Sequence, residues 1–465
     1  MSPADRRQRK SVGAPAVGAA QLLASLDNSK FTRRHGLIYS IVMVGHLCDG
    51  FDVSLTGYII PSIIVTFGLT NSQAGLFGSS VSLGMLIGSL SIGFLADHAG
   101  RRLAFLIGIG IYSGLSIALT LAWNFDSLVW LRVIQGIGLG AEAPLVFTYL
   151  SEFMPARFRG QLVSTSVFGW TFASAIAALL ALLLLPGYGW RAMFLVGGIF
   201  GLLVVVLAAL ALPQSVRYLL SRGRLVEATS VSRWLSSTPL ESAVSSSAVV
   251  AEVEVAVLRR SALDIVRGKY LRYTLPIWAM QFVAGCAFFG LGSWLPSIFI
   301  GMGIKLTNSL VYVLIIATAG AFGNVASGFL LDRFGRRNTL TSFFLISGVL
   351  MFVWSAVTST AALLCVGALA YFFSTGAGGG ALYTYTSELY PTYARGVGTA
   401  WAASWQRIGG IVAPAGLGLV LGKATSSTGF FLLIGTGLLA GAVIAWFGCF
   451  ETRGRTLEEI ASSLT

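Results

Sequence analysis

Charged side chains are scarce in this sequence of 465 residues. Asp, Glu, Lys and Arg together make up 11% of the chain, whereas 55% of it is hydrophobic. A soluble protein of ordinary composition carries about a quarter charged residues, so that class is excluded. The apolar residues fall into blocks of roughly 20, the length with which a helix crosses about 30 Å of hydrocarbon. The sequence therefore predicts an all-α membrane protein.

Motifs for cofactors and for enzyme chemistry are missing as well. The four cysteines lie inside apolar blocks without the spacing of metal ligands, and we interpret them as small buried hydrophobic residues. The sequence contains no G-x-x-x-x-G-K-S/T motif for a nucleotide, and no nucleophile–base pair stands out in the loops. We therefore expect no cofactor, no metal and no enzyme activity.

Lysine and arginine give the chain a net charge of +13. We exclude a nucleic-acid partner, because the basic residues occupy short segments between apolar blocks and do not share one soluble face. Lys and Arg beside spans instead set their orientation, with the basic loops on the cytoplasmic side. The intervening loops hold only Arg191, Lys305 and Lys423. We expect an even number of spans in a cell inner (plasma) membrane, with both termini cytoplasmic.

Twelve apolar blocks qualify as membrane spans. We place them near residues 37–62, 73–95, 103–123, 128–150, 163–185, 192–212, 273–299, 309–331, 339–358, 361–385, 397–421 and 428–449. The predicted organisation is a cytoplasmic N-terminal tail (1–35), a six-helix half (36–212), a basic cytoplasmic linker with a Ser-rich centre (213–271), a second six-helix half (272–450) and a cytoplasmic C-terminal tail (451–465).

An internal repeat relates the two halves. GFLADHAGRR at 93–102 recurs as GFLLDRFGRR at 328–337, and YLSEFMPARFRG at 149–160 recurs as YTSELYPTYARG at 385–396. Many secondary transporters are built from repeated halves, bind substrate between them near the middle of the membrane and rock to alternate access. The repeat therefore predicts two equivalent six-helix units around a central site.

The repeated G-x-L-x-D-x-x-G-R-R motif resembles the signature of the major facilitator superfamily, and the resemblance covers roughly residues 36–460. It implies twelve transmembrane helices in two pseudo-symmetric six-helix halves, the major facilitator fold. It also implies that these loops hold the cytoplasmic side closed and release it when it opens. Alternatively, the arginines only anchor the topology. The predicted gate residues are Gly93, Asp97, Gly100, Arg101, Glu152, Arg159, Asp332, Gly335, Arg336, Glu388 and Arg395.

Several ionisable residues lie inside the predicted spans, where such groups are costly and indicate function. His46, Asp49 and Asp52 share a broad stripe of the first span. Two neighbouring carboxylates do not both ionise easily in a low dielectric, so one of them is suited to carry a proton. We assign proton coupling to Asp49, Asp52, Arg132 and Glu142. Alternatively, one aspartate caps a helix or pairs with an arginine of the bundle.

Arg407 is the candidate for holding an anionic substrate, because a guanidinium stays charged and binds a planar carboxylate with two hydrogen bonds. Alternatively, it pairs with an aspartate of the first span and only holds the halves together. The positions equivalent to the four proton-coupling residues carry alanine or glycine in the second half, so the fold does not require those charges. The predicted substrate-binding residues are Arg407, Gln281, Phe282, Phe289 and Tyr383.

Further motifs resemble particular branches of the superfamily. DGFDVSLTGYIIP (49–61) and QRIGGIVAP (406–414) resemble motifs of the aromatic acid:proton symporters, and GLGAEAP (138–144) resembles the nicotinate and metabolite transporters. SVRYLLSRGR (215–224) and ETRGRTLEEI (451–460) are similar to the sugar porters. The seventh span, however, has Phe282 and Ala287 where the sugar-porter motif has amides that a polyol needs.

The resemblance therefore implies proton-driven uptake of a small aromatic or heteroaromatic carboxylate. The partners are that carboxylate, protons and the lipid bilayer, and the protein is expected to act as a monomer. The alternative is symport of a sugar or other polar metabolite with protons. A membrane sensor that binds such an acid without moving it is the other alternative.

Overall fold

A computed structural model describes residues 19–235, 271–390, 395–423 and 428–453. These residues form helices and connecting loops without any strand. The spans of the first half are Arg33–Phe67, Asn71–Ala99, Arg101–Leu119, Phe125–Phe153 and the two parts of Ala156–Ala211. Those of the second half are Leu271–Gly301, Leu306–Phe334, Arg336–Ala356, Thr360–Leu389, Arg395–Lys423 and Thr428–Gly448. We number them span 1 to span 12.

The count of twelve rests on two of these helices. Ten helices of the described residues are long and apolar enough to cross a membrane. Ala156–Ala211 has 56 residues and breaks at Gly189, whose φ of 71° is outside the helical range, so it supplies spans 5 and 6. Arg395–Lys423 packs between spans 2 and 7 inside the same bundle and is span 11. The predicted twelve-helix fold in two halves is confirmed.

Equivalent glycines turn the chain at equivalent places of the two halves. Gly100 joins spans 2 and 3 with a φ of 89°, and Gly335 joins spans 8 and 9 with a φ of 86°. A side chain rarely adopts this conformation, and a Cβ atom on Gly100 would also lie 2.3 Å from Nε2 of Gln214. We call the end of the bundle with these two turns the basic end, and the other end the opposite end.

Three short helices lie at the basic end beside the spans: Ala19–Asp27, Val216–Ser221 and Leu225–Leu235. The Tyr218 hydroxyl donates to the His98 carbonyl at 3.0 Å, which ties the second of these helices to span 2. Arg34 stacks on the Trp234 ring, with Cζ 5.1 Å from its centroid. Most of the predicted linker, 236–270, and residues 454–465 lie outside the described ranges.

The two halves meet tightly toward the opposite end. Ser79 of span 2 donates to the Ile411 carbonyl of span 11 at 2.5 Å and accepts from the Ala415 amide at 3.0 Å. Spans 1 and 7 come so close that a Cβ atom on Gly57 would lie 1.7 Å from the Gly292 carbonyl. Small residues permit such backbone contact between helices in membranes. The opposite end is therefore closed.

The helices that face each other across the boundary between the halves separate toward the basic end. Asn324 of span 8 donates to Thr171 of span 5 at 2.8 Å near the middle of the bundle. One turn further, Gly328 faces open space, and so does Gly93, which continues the Ser79 face of span 2. The halves thus touch at the opposite end and part at the basic end, so the space between them is reached from the basic end.

Gly57→Val should prevent closure of the opposite end, because Cβ cannot fit against Gly292. We expect transport to be lost and Ser293→Cys, in a background without the four native cysteines, to react with a membrane-impermeant thiol reagent. Gly110→Val is the control, since nothing lies within 4 Å of a Cβ atom there. Equal labelling of the two variants would contradict the close approach of spans 1 and 7.

Candidate functional site

Asp52 lies in a fully buried polar network inside the first half. Both carboxylate oxygens accept from Ser116 at 3.0 Å, and Oδ1 also accepts from Gln135 at 3.1 Å. Nη1 of Arg132 lies 3.5 Å from Oδ1, while Nη2 donates at 2.5 Å to the Asp52 carbonyl and to Thr56. The structure thus places Arg132 against Asp52, and both oxygens of this carboxylate are occupied.

Asp49 has different partners, although it shares the buried side of span 1. Its Oδ2 accepts from the indole N–H of Trp170 at 2.8 Å and lies 3.8 Å from Nδ1 of His46. Its Oδ1 has no hydrogen-bond partner among the described residues. His46 and Trp170 line the cavity described below, so Asp49 is separated from that cavity by a single side chain. Oδ1 of Asp49 is free to accept a further hydrogen bond.

Glu142 is buried on span 4, close to span 1. A Cβ atom on Gly45 would lie 3.0 Å from its Oε1. Tyr112 lies beside it, but no hydrogen bond of ordinary geometry reaches either carboxylate oxygen from the described residues. An ionised carboxylate in such a place loses its hydration without compensation, which is costly.

A cavity lies between the halves on the basic side of the closed contacts, and its empty space, open solvent included, is about 720 Å³. Five of the lining residues are Phe, Tyr or Trp, and amides and one arginine lie on the wall of the second half. The lining includes Trp170, Phe288, Phe289, Asn324, Tyr383 and Arg407.

Arg407 reaches this cavity from span 11. Its side chain is nearly buried, and its Nε has no hydrogen-bond partner in the described ranges. Neighbouring Gln406 accepts from the Tyr383 hydroxyl at 2.7 Å. None of the ion pairs between described residues includes Arg407, so it does not tie the halves together here. A guanidinium in this position is available to an anion that enters the cavity.

The other predicted substrate-binding residues divide into two groups. Phe289 and Tyr383 line the cavity with Arg407. Gln281 is fully buried outside the lining, with neither amide atom partnered in the described residues. Phe282 points its backbone toward span 11, where a Cβ atom on Gly409 would lie 2.4 Å from its carbonyl oxygen. These two residues are therefore not part of the wall in this state.

The two amides of the wall and Trp170 are not among the binding residues predicted from the sequence. Asn324 and Gln406 both line the cavity, and each is an uncharged polar residue within an apolar span. Polar side chains of this kind form contacts between helices in membranes. Their presence inside apolar blocks is the signal by which the sequence could have identified them.

At the basic end, ion pairs lie within one half. Arg101 lies 3.3 Å from Glu152, and its repeat equivalent Arg336 lies 2.6 Å from Glu388. Arg336 also lies 3.4 Å from Asp332. The repeat thus places the same arginine–glutamate pair in both halves. The side chains of Asp97 and Arg395 are outside what the structure describes.

Arg159, another of the predicted gate residues, has a partner outside the repeated motif. It contacts Asp27 of the N-terminal helix at 2.5 Å. Glu152 accepts from Ser215 and pairs with Arg101. The partner of Arg159 comes from a segment outside the repeat, which the motif alone does not include.

Two six-helix halves around a central cavity, with buried carboxylates behind one wall and an arginine on the other, have the construction of a secondary transporter. The chain belongs to the Major Facilitator Superfamily, whose family model matches residues 42–414. The resemblance inferred from the repeated loop motif is therefore confirmed, and so is the prediction of a transporter.

The relatives come from the expected branch. The chain is 30% identical to the niacin transporter NiaP of Acinetobacter baylyi over 94% of this chain and 99% of the relative. It is 28% identical to the gallate transporter of Pseudomonas putida, over 90% and 92% of the two chains. The xylose transporter XylE of E. coli, in a partially occluded inward-open conformation, matches with a TM-score of 0.75 at 20% identity, over 91% of this chain and 100% of that chain. This last likeness shows the fold.

Arg132→Ala should destabilise the protein by about 3–5 kcal/mol, because it leaves the Asp52 carboxylate buried without its partner. The double change with Asp52→Leu should recover much of that loss. The measurement is the unfolding of the purified protein in detergent. Arg224→Ala removes an exposed pair with Glu227; solvent screens such a pair, so this variant should lose far less stability than Arg132→Ala. Equal losses in the two single variants would contradict the buried network.

Proposed function

We propose that the protein is a proton-coupled symporter that takes up a small aromatic or heteroaromatic carboxylate by alternating access. The observation that carries this proposal is Arg407, a cation without an ion-pair partner among the described residues, on an aromatic wall of a cavity between the halves. A carboxylate on the guanidinium would place its ring among Phe288, Phe289 and Tyr383. The names of the related niacin and gallate transporters support the same substrate class.

Asp49 suits the proton site better than Asp52 does. One oxygen of Asp49 is unoccupied, and the residues that cover it, His46 and Trp170, line the cavity. Asp52 accepts hydrogen bonds at both oxygens and pairs with Arg132. A proton must reach its carrier from the transport path, and of these two aspartates it is Asp49 that combines this proximity with an oxygen that accepts no hydrogen bond from the described residues.

The proposed cycle follows from this geometry. With the opposite end open, Asp49 binds a proton and Arg407 binds the carboxylate. The halves then rock into the arrangement described above, with the opposite end closed, and both ligands leave through the basic end. The ion pairs of Arg101 and Arg336 are candidates for controlling that exit, because they lie at the loops where the halves part.

The experiment is uptake of labelled benzoate, 4-hydroxybenzoate, nicotinate, glucose and xylose into cells, with and without a protonophore. We expect accumulation of an aromatic acid that the protonophore abolishes. Arg407→Ala should weaken substrate binding by about tenfold or more, since it removes a charge-assisted contact. Asp49→Asn should abolish accumulation but retain exchange of labelled for unlabelled substrate.

Arg224→Ala serves as the control, because Arg224 pairs with Glu227 on the exposed surface away from the cavity. Accumulation of a sugar alone would contradict the proposal and support the second candidate, symport of a polar metabolite. The amides of Asn324 and Gln406 on the cavity wall are the observation that favours this second candidate. Binding of an aromatic acid without any uptake would instead indicate a sensor.

We further propose that the protein lies in the inner membrane with both termini in the cytoplasm, so that the basic end faces inward. The turns at Gly100 and Gly335 are each followed by two arginines, and basic loops are retained on the cytoplasmic side. A reporter that is active only in the cytoplasm, fused after Thr465, should be active. A fusion within 302–305 should be inactive, and the reverse pattern would contradict this orientation.

A further inference from the structure

Two adjacent aromatic residues of span 7 separate the main cavity from a second one. Phe288 and Phe289 line both the 720 Å³ cavity and a smaller one of about 440 Å³. The smaller cavity is bounded by Tyr58 and Ser293, on the side of the closed opposite end. The two rings meet edge to face, with centroids 5.2 Å apart. We call these two residues the partition.

Trp170 of span 5 joins this partition to Asp49. Its ring stacks on Phe288, with centroids 5.5 Å apart and planes inclined by 30°. Its indole N–H donates to Oδ2 of Asp49 at 2.8 Å. The backbone of Trp170 packs closely against span 1, since a Cβ atom on Gly50 would lie 2.4 Å from its carbonyl oxygen. The change of position inferred below is therefore one of the Trp170 side chain.

We propose that Trp170 is the positioning residue that links protonation of Asp49 to the partition. A hydrogen bond to a carboxylate is about twice as strong as one between neutral groups, so ionised Asp49 holds the indole in its stack on Phe288. A proton on Asp49 weakens this hydrogen bond, so that the indole ring of Trp170 can move away from Phe288. This inference rests on the proposed function, in which Asp49 is the proton site.

The charged and titratable groups around Asp49 are consistent with this link. His46, Cys48 and Asp52 are on its own helix, and Tyr112, Glu142 and Arg407 face it from spans 3, 4 and 11. Arg407 acts on Asp49 through space without an ion pair. A substrate carboxylate on Arg407 offsets that positive charge and so favours a proton on Asp49. Substrate and proton would then loosen the partition together.

The test uses the full chain in liposomes with radiolabelled nicotinate or 4-hydroxybenzoate, whichever the wild type transports. Trp170→Phe retains an aromatic ring for the stack but removes the N–H donor. We expect exchange of labelled for unlabelled substrate to stay within about twofold of wild type. Accumulation driven by a pH gradient should fall by about tenfold, the effect of one hydrogen bond to a charged group, and exchange should lose its dependence on pH.

Trp190→Phe is the matched control, because the Trp190 indole donates to Thr66 at 3.1 Å, away from both cavities. Asp49→Asn combined with Trp170→Phe should transport no less than Asp49→Asn alone, since the tryptophan acts through that carboxylate. Phe288→Leu keeps the donor and removes the stacking partner. Because Phe288 also lies against the proposed substrate ring, the measurement for this variant is the ratio of accumulation to exchange, which should fall. This second route applies if Trp170→Phe does not fold.

Two results would overturn the inference. One is wild-type accumulation and pH dependence in Trp170→Phe. The other is an equal loss of exchange and accumulation, which would make Trp170 a substrate contact. A wild-type protein whose uptake ignores the pH gradient would instead refute the proposed proton coupling itself, and the link to Asp49 with it.

Discussion

A charge inside a membrane is stable only where another group offsets it, and this constraint divides the buried charges of the protein into two kinds. Asp52 and Arg132 offset each other, and Ser116 and Gln135 occupy the remaining acceptor positions. Asp49 and Arg407 are left incomplete toward the cavity. A complete network gains nothing from a ligand, whereas an incomplete one is stabilised by a proton or an anion. The proposed binding sites for proton and substrate are therefore the places where buried charges lack partners.

Packing between the halves imposes the second constraint, because alternating access requires contacts that form and break. The contacts at Gly57 and Gly292 and at Ser79 consist of backbone and small side chains. Such surfaces separate without leaving large apolar cavities, and they close to van der Waals contact again. At the basic end, the helix faces that have separated carry Gly93 and Gly328, which are equally small. Either end can therefore close in the same way.

The repeat in the sequence predicted the architecture but not every contact within it. Composition and a constant offset were sufficient for twelve spans, the turns at Gly100 and Gly335 and the equivalence of Arg101 with Arg336. The partner of Arg159 could not be predicted, because Asp27 belongs to a helix outside the repeat. Gln281 shares a face of span 7 with the lining residue Ala284, yet it is covered. Helical periodicity gives the face of a residue and not what covers it.

Function in this fold comes from the positions where the repeat is broken. The position equivalent to Asp49 is Ala284, which lies on the cavity wall. Ala284 packs against span 10, since a Cβ atom on Gly378 would lie 2.7 Å from the Cβ atom of Ala284. The position equivalent to Glu142 is Ala377, within a π-helical segment of span 10, Gly376–Ala381. A carboxylate at either place would lack the space that the first half provides. The second half therefore packs tightly along its wall and contributes Arg407, while Asp49 and Glu142 lie in the first half, so the proposed substrate and proton sites lie on opposite sides of the cavity.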